Sequence, residues 1–416
     1  MMNDAAGSPS PTGIGPGVLA GVRVLDLTRV VAGPCCTRAL ADLGAEVIKV
    51  EPPDGDLLRT AVPRKGGISV LFAGQNAGKR FVSVDLGTPE GVELVLALSE
   101  RCDVVVENFR PGVAARLGVG YEQVSARTPS IIYCSVSGYG QTGGSAQRRA
   151  YAPVIHAEVG LLDFKARETE TVPMAEPVSH ADIAAGMTAA QGVLAALFRR
   201  ERTGEGVWID SSMCESMVQF NEWTEVEING GPDYLNSVFR PGKAAVVQLG
   251  DPDRTWVAIP GSPAGVLEHC ANLSDRPELF DDERFATLQA RATHLDDCLE
   301  VIADWAATFT DFETFEKTLS EGVRVPVGRL RTVVDTLEAD WAVDRQAYVE
   351  IPSGTDGTVL VHRSGLRFSN ADTGPRTGMA HLGADNRAVL HDVLGLEDRE
   401  IAALEQTGAL VERLKD

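Results

Sequence analysis

The sequence predicts an α/β protein in which a doubly wound parallel sheet forms the larger domain and a smaller α+β domain follows it. Three observations predict this class. Short apolar runs alternate with segments of helical periodicity along the first half of the chain. The apolar runs are continuous, which is typical of parallel strands that are buried on both faces. Near residue 225 hairpin-like and amphipathic helical patterns replace this alternation, which indicates a second domain.

The alternation can be followed element by element from residue 21. The predicted elements are, in order, the strand GVRVLDL, the helix CCTRALADLG, the strand AEVIKVE, the strand FVSVDL, the helix PEGVELVLALSER, the strand CDVVVENF, a helix near GVAARLG and the strand SIIYCSVSGYG. In open parallel sheets, ligands bind beyond the carboxyl ends of the strands. We therefore expect the functional site at the turns that follow these strands.

A long helix, HADIAAGMTAAQGVLAALFRRERTG, precedes one more strand, GVWIDSS. Basic residues suit the last turn of this helix, and Gly204 is a typical stop. Farther along the chain, one amphipathic helix is predicted for LDDCLEVIADWAATFTDFETFEKTL. The chain is expected to return to the large domain around GVRVPVGRLRTVVDTL. The last part is again predicted to be helical, in NRAVLHDVLGLEDREIAALEQTGAL. The predicted domain bounds are a flexible tail at 1–18, a large domain at 19–224, a small domain at 225–330 and a return segment at 331–416.

Composition limits the classes of function. The chain has 416 residues, which favours two domains, and its 44% hydrophobic and 23% charged residues are ordinary values for a globular protein. Its 38 basic and 59 acidic residues give a formal net charge of −21. Binding to nucleic acid or to anionic membranes needs a basic face, so neither is expected. An anionic ligand must instead find a local basic pocket.

Cysteine usage and the N-terminal residues indicate the cellular compartment. The seven cysteines are scattered and lack the paired CxxC spacing of a metal or redox site. The first residues, MMNDAAGSPSPTGIGPG, show neither the basic nor the apolar region of a secretion signal, and no apolar run approaches the length of a membrane span. We therefore expect a cytoplasmic protein with reduced thiols and no bound metal.

Six stretches of the chain together resemble the class III CoA-transferases, the CaiB/BaiF family, which includes formyl-CoA transferase, carnitine CoA-transferase and alpha-methylacyl-CoA racemase. They are GVRVLDLTRVVAGPCCTRALADLGAEVIKVEPPDGD, NAGKRFVSVDLGTPEG, DVVVENFRPGVAARLGVGYEQV, IIYCSVSGYGQTGGSAQR, GVLAALFRRERTGEGVWIDSSM and HLGADNRAVLHDVLGL. The resemblance implies that acyl-CoA and a carboxylic acid are the substrates. It also implies a large domain made from both chain ends, an inserted small domain and an interlocked dimer. That dimer would be a homodimer, or a heteromer with a paralogous subunit.

The resemblance also implies where coenzyme A binds. RVVAGP joins a strand to a helix, where backbone N–H groups can meet phosphate oxygens, so Arg29 and Val30 are candidate contacts. In the family, CoA lies against the strand end that corresponds to Val84 and Gly87. A further contact comes from the arginine that corresponds to Arg116.

Other candidate contacts come from residue type. Lys79 and Arg80 supply cations, which the phosphates of CoA need on an acidic protein. Gly138 begins a glycine-rich turn that permits close approach of a thioester. Two positions depart from the formyl-CoA transferases: Pro52 and Ser137 stand where those enzymes have basic residues.

Class III transferases use an aspartate that attacks the acyl-CoA thioester, and the corresponding residue must lie between 160 and 182. Asp163 is our candidate, because its apolar surroundings GLLDF predict a partly buried and reactive carboxylate. Glu168 and Glu170 are alternatives, although the polar run KARETET suggests that both are solvated. Asp182, just inside the long helix, has the position of a cap or packing carboxylate.

Three alternative functions remain open at this point. Family racemases have Gly-His-Asp where this chain has Ala150, Tyr151 and Ala152, and only His156, with Glu158 near it, could serve as an acid/base pair. A non-catalytic CoA-binding subunit of a hetero-oligomeric transferase would account for a missing nucleophile. A dinucleotide-dependent oxidoreductase is disfavoured, because the first strand turn lacks the glycine fingerprint.

Overall fold

The computed structural model describes residues 13–230 and 241–412. Residues 1–12 of the predicted tail lie outside this range. The strands are β1 Arg23–Asp26, β2 Glu46–Glu51, β3 Arg64–Lys65, β4 Ile68–Ser69, β5 Arg80–Ser83, β6 Val104–Glu107, β7 Ile132–Ser137, β8 Val207–Ser212, β9 Ala245–Gln248, β10 Trp256–Ile259, β11 Gly328–Arg329, β12 Tyr348–Ser353 and β13 Gly357–His362.

The helices alternate with these strands over the first half of the chain. They are α1 Ala32–Asp42, α2 Val70–Asn76, α3 Pro89–Ser99, α4 Val113–Arg116, α5 Tyr121–Arg127, α6 Ala152–Glu158, α7 Leu161–Thr169, α8 His180–Thr203, α9 Met213–Phe220, α10 Thr224–Gly230, α11 Pro263–Leu273, α12 Leu288–Thr293, α13 Leu295–Ala306, α14 Phe312–Gly322, α15 Asp340–Asp344, α16 Asn386–Val389 and α17 Asp398–Gln406.

A six-stranded parallel sheet with the order β5-β2-β1-β6-β7-β8 forms the centre of the larger unit. Helices α1 and α8 cover one face, and they approach so closely that a Cβ at Gly186 would lie 2.6 Å from the Ala32 carbonyl oxygen. The other face packs on an apolar core that includes Leu94 from α3 and Ile401 from α17. The prediction of an α/β protein with a parallel sheet is confirmed.

The strand order reverses between β1 and β6. From β1 the chain places β2 and β5 on one side and β6, β7 and β8 on the other. Adjacent turns at this point leave the sheet in opposite directions and open a crevice at its carboxyl edge. The position of the crevice therefore follows from the topology.

The edge strand β5 is covered by the C-terminal part of the chain. The Phe81 N–H donates to Asp385 Oδ2 at 2.7 Å, and the Ser83 N–H donates to Asn386 Oδ1 at 2.9 Å. Beyond the strand, the Asp85 N–H donates to the Ala409 carbonyl at 2.9 Å. Backbone donors that would otherwise form an open sheet edge are thereby satisfied.

The chain divides into two compact units, and the division differs from the predicted domain bounds. The larger unit comprises residues 13–159, Pro177–Phe220 and 340–412 of the described chain. The smaller unit comprises Gly160–Glu176 and Asn221–Ala339. The short segment Gly160–Glu176, which the sequence analysis placed in the large domain, thus belongs to the smaller unit.

The smaller unit contains an antiparallel sheet with the order β11-β10-β9 and an apolar core that includes Trp305 and Phe315. The single amphipathic helix predicted from residue 295 is wrong in one respect, because α13 and α14 are separate helices. The break occurs at Asp311, whose carboxylate accepts the Thr314 N–H at 2.7 Å and so caps a new helix.

One described helix, α8, is long and apolar enough to cross a bilayer by length and composition. The sequence analysis did not expect such a run. More than half of its most apolar window is buried inside the protein. This burial is typical of the core helix of a soluble protein, and Gly186 of this helix packs closely against α1.

Candidate active site

A cavity of about 380 Å³ opens at the carboxyl edge of the sheet, where the strand order reverses. It is lined by the turns that follow β1, β6 and β7 and by the start of α8. A second cavity of about 210 Å³ lies beside it, and the two share Arg29 and Phe109 as lining residues. Together they form an extended site within the larger unit.

Several of the predicted CoA contacts lie at these cavities. Arg29, Val30 and Gly138 line the first cavity, and Val84 and Gly87 line the second. They come from separate parts of the sequence because parallel strands bring their carboxyl ends to one edge. Pro52 lines the second cavity and Ser137 the first, so both departures from the formyl-CoA transferases occur at the site itself.

Arg116 is not among the residues that line either cavity. It ends the short helix α4 and is exposed. Its neighbour Leu117 lines the second cavity. The guanidinium of Arg116 is therefore close in sequence to the site, but no contact in the structure assigns it a role.

Lys79 does not have the exposure that a CoA contact needs. Its side chain is fully buried, and its ammonium group donates to Asp26 Oδ2 at 2.9 Å, Thr37 Oγ1 at 2.7 Å and Asn76 Oδ1 at 2.8 Å. Burial would raise the pKa of Asp26, but the charges of Lys79 and Lys49 and two threonine hydroxyls lower it to about 2. The cation is used inside the fold, where it compensates a buried carboxylate.

Arg80 also has partners within the protein. Its guanidinium forms ion pairs with Glu46 and with Asp392, both at 2.9 Å. It does not line either of the two cavities. The assignment of Lys79 and Arg80 to phosphate binding therefore has no support in the geometry.

Asp163 differs from the expected partly buried carboxylate. It lies in α7 of the smaller unit, its side chain is 71% exposed, and it pairs with Arg167 at 2.8 Å. Residues that are four apart share a helix face, and this face is directed to solvent. The expectation that apolar neighbours would bury Asp163 is wrong.

The two glutamates also differ from expectation. Glu168 is buried, and its Oε2 accepts the Gly242 N–H at 3.4 Å. Glu170 ends α7 in a left-handed conformation and lies 3.4 Å from Lys243 Nζ. Both residues belong to the smaller unit, whereas every lining residue of the two cavities belongs to the larger unit.

Asp182 is the only carboxylate among the residues that line the first cavity. It lies in the first turn of α8 and is 9% exposed. Burial raises its pKa to about 6, while hydrogen bonding from the backbone of Ala32, Ala152 and Asp182 itself partly offsets the rise. From the sequence, Asp182 was interpreted as a cap or packing carboxylate, because its position just inside the long helix gives no sign of the cavity beside it.

The same cavity is lined by cations, although the protein as a whole is acidic. Arg110, Arg148 and Arg149 line the cavity together with Arg29. Arg148 forms an ion pair with Glu158 and lies over the Tyr139 ring. Arg110 and Arg149 are exposed and form no ion pair with any described residue.

The cavity also offers one buried hydroxyl. Ser137 is 7% exposed, and its Oγ has no hydrogen-bond partner within residues 13–230 and 241–412. A buried polar atom without a partner is destabilising, so such atoms are rare away from functional sites. A buried carboxylate, flanking cations and a free hydroxyl together suit attack on a polarised acyl group and binding of an anion.

The acid/base pair of the isomerase alternative is absent from this arrangement. His156 is fully buried, and its Nε2 accepts the Ala181 N–H at 3.1 Å, which occupies the lone pair that a base would use. Glu158 pairs with Arg148. His156 instead holds the start of α8 next to Asp182.

The chain is similar to known proteins over most of its length. The family model described as CoA-transferase family III matches residues 19–386. The chain is 30% identical over 402 residues to human succinyl-CoA:glutarate CoA-transferase, covering 94% of this chain and 90% of that protein. It is 32% identical over 394 residues to succinyl-CoA–D-citramalate CoA-transferase of Chloroflexus aurantiacus, covering 94% and 97%.

The fold has a solved counterpart. The crystal structure of a CaiB/BaiF family protein from Brucella suis matches with a TM-score of 0.76 and 30% identity. The match covers 91% of this chain and all of that one. The likeness thus extends over both units.

Proposed function

This chain belongs to CoA-transferase family III and is a CoA-transferase, and from this premise we propose that it transfers CoA from an acyl-CoA donor to a carboxylic acid through covalent intermediates on Asp182. The proposal replaces Asp163 as the nucleophile. One observation carries it: within the described residues, Asp182 is the only carboxylate that lines the first cavity, and it is buried there. The alternative of a non-catalytic subunit was motivated by a missing nucleophile. Because Asp182 supplies a carboxylate in the cavity, that reason no longer applies.

The reaction proceeds as exchanges between an anhydride and a thioester. The Asp182 carboxylate attacks the carbonyl carbon of the acyl-CoA, the C–S bond breaks, and CoA leaves as a thiolate. The thiolate attacks the aspartyl carbonyl of the mixed anhydride, which releases the donor acid and leaves CoA as a thioester on Asp182. The acceptor carboxylate then attacks the carbonyl carbon of this thioester, the C–S bond breaks, and the CoA thiolate leaves as a new anhydride forms. The thiolate finally attacks the acceptor acyl carbon, which yields the new acyl-CoA and restores the carboxylate.

The environment of Asp182 suits these steps. With a pKa of about 6, the carboxyl group is mainly ionised at neutral pH yet more basic than a solvated aspartate, so it is a better nucleophile. The backbone groups of Ala32 and Ala152 lie at the starts of α1 and α6. Their N–H groups stabilise negative charge as it returns to the aspartate.

We assign the CoA moiety to the second cavity and to the residues that the two cavities share. Arg29 supplies a cation at their junction, and Phe109 supplies an aromatic face. Val84 and Gly87 form the far wall, where an exposed glycine permits close approach. The thioester then points toward Asp182, within the first cavity.

Covalent trapping tests the nucleophile directly. The purified protein is incubated with a panel of acyl-CoA donors, treated with hydroxylamine, and analysed by intact mass and peptide mapping of residues 150–203. We expect a CoA adduct or hydroxamate on Asp182. A mark on Asp163, Glu168 or Glu170 would keep the reaction class and refute the site.

The pH profile should report the same carboxylate. The ionised form is the nucleophile, so kcat is expected to rise with pH through an apparent pKa near 6 and to level off above it. Steady-state rates between pH 4.5 and 8.5, with stability checked at each pH, measure the profile. A rate that is flat down to pH 4.5 would exclude a buried nucleophile of this kind.

We further propose that the acceptor is a dicarboxylic acid. The relatives described above act on glutarate and D-citramalate, which both carry two carboxylates. Arg110 and Arg149 support the proposal, because both line the cavity and neither is neutralised by a described carboxylate. One substrate carboxylate would react at Asp182 while the other pairs with these arginines.

Arg149→Gln should therefore raise KM for glutarate by about 10–100-fold. This factor corresponds to the loss of one hydrogen bond to a charged group, which contributes roughly 1.5–3 kcal/mol. KM for a monocarboxylate of equal length, such as pentanoate, should stay within about twofold, since its methyl end has no charge to pair. Arg127→Gln, which removes an exposed arginine paired with Glu93, is the matched control. Equal losses for both acids, or a raised KM for the CoA donor alone, would assign Arg149 to CoA.

We also propose a cytoplasmic homodimer. Large apolar side chains of the larger unit, including Phe198, Trp341 and Phe368, are exposed in the single chain and would be covered by a second copy. Native mass spectrometry distinguishes a homodimer from a monomer. Co-purification of a paralogous chain would instead support a heteromer.

A further inference from the structure

The turn that joins β1 to α1 is held by hydrogen bonds to side chains. The Thr28 carbonyl accepts a hydrogen bond from Lys49 Nζ at 2.7 Å, and the Thr28 N–H donates to Asp26 Oδ1 at 2.9 Å. The Arg29 N–H donates to Asn108 Oδ1 and the Arg29 carbonyl accepts from Asn108 Nδ2, both at 2.8 Å. The directions of consecutive peptide groups in this turn are therefore fixed.

Asp56 holds the next residue of the turn. The Val30 N–H donates to both carboxylate oxygens of Asp56, at 3.0 and 3.2 Å. Asp56 is fully buried, and its Oδ2 lies 3.4 Å from Lys49 Nζ. The peptide group between Arg29 and Val30 is thus bound on both sides, with its carbonyl on Asn108 and its N–H on Asp56.

Val30 has a backbone conformation that its side chain opposes. Its φ is +68°, in the left-handed region, which is an outlier for a β-branched residue. Such a conformation persists only where the surroundings impose it, and it tends to occur at functional sites. Here Val30 lines the first cavity and lies two residues before α1 begins at Ala32. Charge-assisted hydrogen bonds to Asp56 are strong enough to impose it.

The conformation of this turn sets the direction of the first N–H group of α1. Ala32 lines the same cavity as Val30 and Asp182, and its backbone lowers the pKa of the Asp182 carboxyl group. We propose that Asp56 is a positioning residue for Asp182: it holds Val30 in the left-handed conformation and thereby directs the Ala32 N–H at the nucleophile. The inference rests on the proposed role of Asp182.

The other groups near Asp182 determine how far its pKa would change if the contribution of the Ala32 N–H were lost. The backbone groups of Ala152 and of Asp182 itself also stabilise the carboxylate, so part of the stabilisation remains. The Cys35 thiol faces it but is neutral, since burial raises its pKa to about 11. Arg29, Arg148 and Arg149 line the same cavity and remain in place. Misdirection of the Ala32 N–H should therefore raise the pKa of Asp182 without abolishing its ionisation.

Two variants of Asp56 test the proposal. Asp56→Asn removes the charge that holds the Val30 N–H. Asp56→Glu displaces the carboxylate by one methylene but keeps a negative charge opposite Lys49, so the fold is protected. We expect both to lower kcat by about 10–100-fold, as small misplacements of reacting groups do. The acid limb of the kcat profile should move up by about one pH unit. KM for the acyl-CoA should change less than kcat.

Rescue by glycine separates positioning from general damage. Glycine adopts positive φ without strain, so Val30→Gly in either Asp56 background should restore most of kcat and return the acid limb toward pH 6. Asp42→Asn is the control, because Asp42 is a buried aspartate at the opposite end of α1 that pairs with Arg38 at 2.9 Å. It should lower the unfolding temperature and leave the acid limb unchanged.

The outcomes distinguish this inference from the proposed function. Folded Asp56 variants with a wild-type pH profile, or a Val30→Gly substitution that restores nothing, would overturn the positioning role. A wild-type protein that forms no adduct on Asp182 would instead overturn the proposed function. A shifted acid limb, rescue by glycine and an unshifted Asp42 control together establish the inference.

Discussion

Replacement of Asp182 by asparagine is expected to lower kcat by at least about 10³-fold, because an amide cannot form the anhydride on which the exchange depends. Asp163→Asn should leave kcat within about twofold, since its carboxylate is exposed and paired with Arg167. Steady-state rates of CoA transfer, with a donor and an acceptor acid that the wild type turns over, measure both. Covalent trapping of the Asp182→Asn protein should yield no adduct.

The unfolding temperature of the same variant serves as its control. The pKa of Asp182 is raised in the folded protein from 3.8 to about 6, so the folded state binds more protons than the unfolded chain between these values. Stability from this group therefore falls as pH rises from about 4 to 6. Above pH 6 the ionised carboxylate costs up to about 3 kcal/mol, which asparagine avoids.

We therefore expect Asp182→Asn to be inactive and more stable than the wild type at pH 7.5, with the gain lost near pH 4. Thermal unfolding at the two pH values measures this difference. An inactive variant with a lower unfolding temperature at both values would point to misfolding instead. Activity within tenfold of the wild type would refute Asp182 as the nucleophile.

Removal of the Lys79 cation is expected to destabilise the protein by about 3–5 kcal/mol, because it leaves a buried carboxylate without its compensating charge. Lys79→Met is the variant, and the affected group is Asp26, which lies 2.9 Å away with neither side chain exposed. The pKa of Asp26 is held at about 2, so stability from this carboxylate is present above about pH 4 and is lost as pH falls toward 2. Denaturant unfolding at pH 7 measures the loss.

Two further variants define the cause. Arg80→Gln removes an adjacent cation from partly exposed ion pairs and should cost no more than about 1 kcal/mol. Asp26→Asn combined with Lys79→Met should recover part of the stability, since neither charge is then left alone. A Lys79→Met protein with unchanged stability but CoA affinity weakened more than tenfold would restore Lys79 to the cofactor site.

The strands and the turn after β1 could be predicted because their signals are local. GVRVLDLTRVVAGP contains a buried strand, its turn and the start of a helix, so the position of Arg29 and Val30 at the edge of the sheet could be predicted from the run alone. The expectation that their N–H groups are available to phosphate oxygens is wrong, because these groups donate to Asn108 and Asp56. The carboxyl ends of parallel strands then bring Val84, Gly87 and Gly138 to the same edge. No tertiary detail was needed for these residues beyond the sheet itself.

The roles of the charged residues depended on contacts that the local pattern does not contain. The partner of Lys79 lies 53 residues away in Asp26. Apolar neighbours in sequence did not bury Asp163, because adjacent residues on a helix point in different directions. Asp182 has the position of a helix cap, and the backbone groups of Ala32 and Ala152 that lower its pKa belong to distant segments. Sequence reasoning thus selected a segment of candidate carboxylates, but it did not predict which of them is buried at the cavity.

The C-terminal segment that covers β5 affects how the protein folds during its synthesis. The N–H groups of Phe81 and Ser83 are satisfied by Asp385 and Asn386, about 300 residues later in the chain. During synthesis on the ribosome, this strand can already pair with β2 while its outer edge stays open until nearly the whole polypeptide has emerged. An open strand edge is a template for aggregation, so chains that terminate before residue 385 should associate even though their cavity residues are complete.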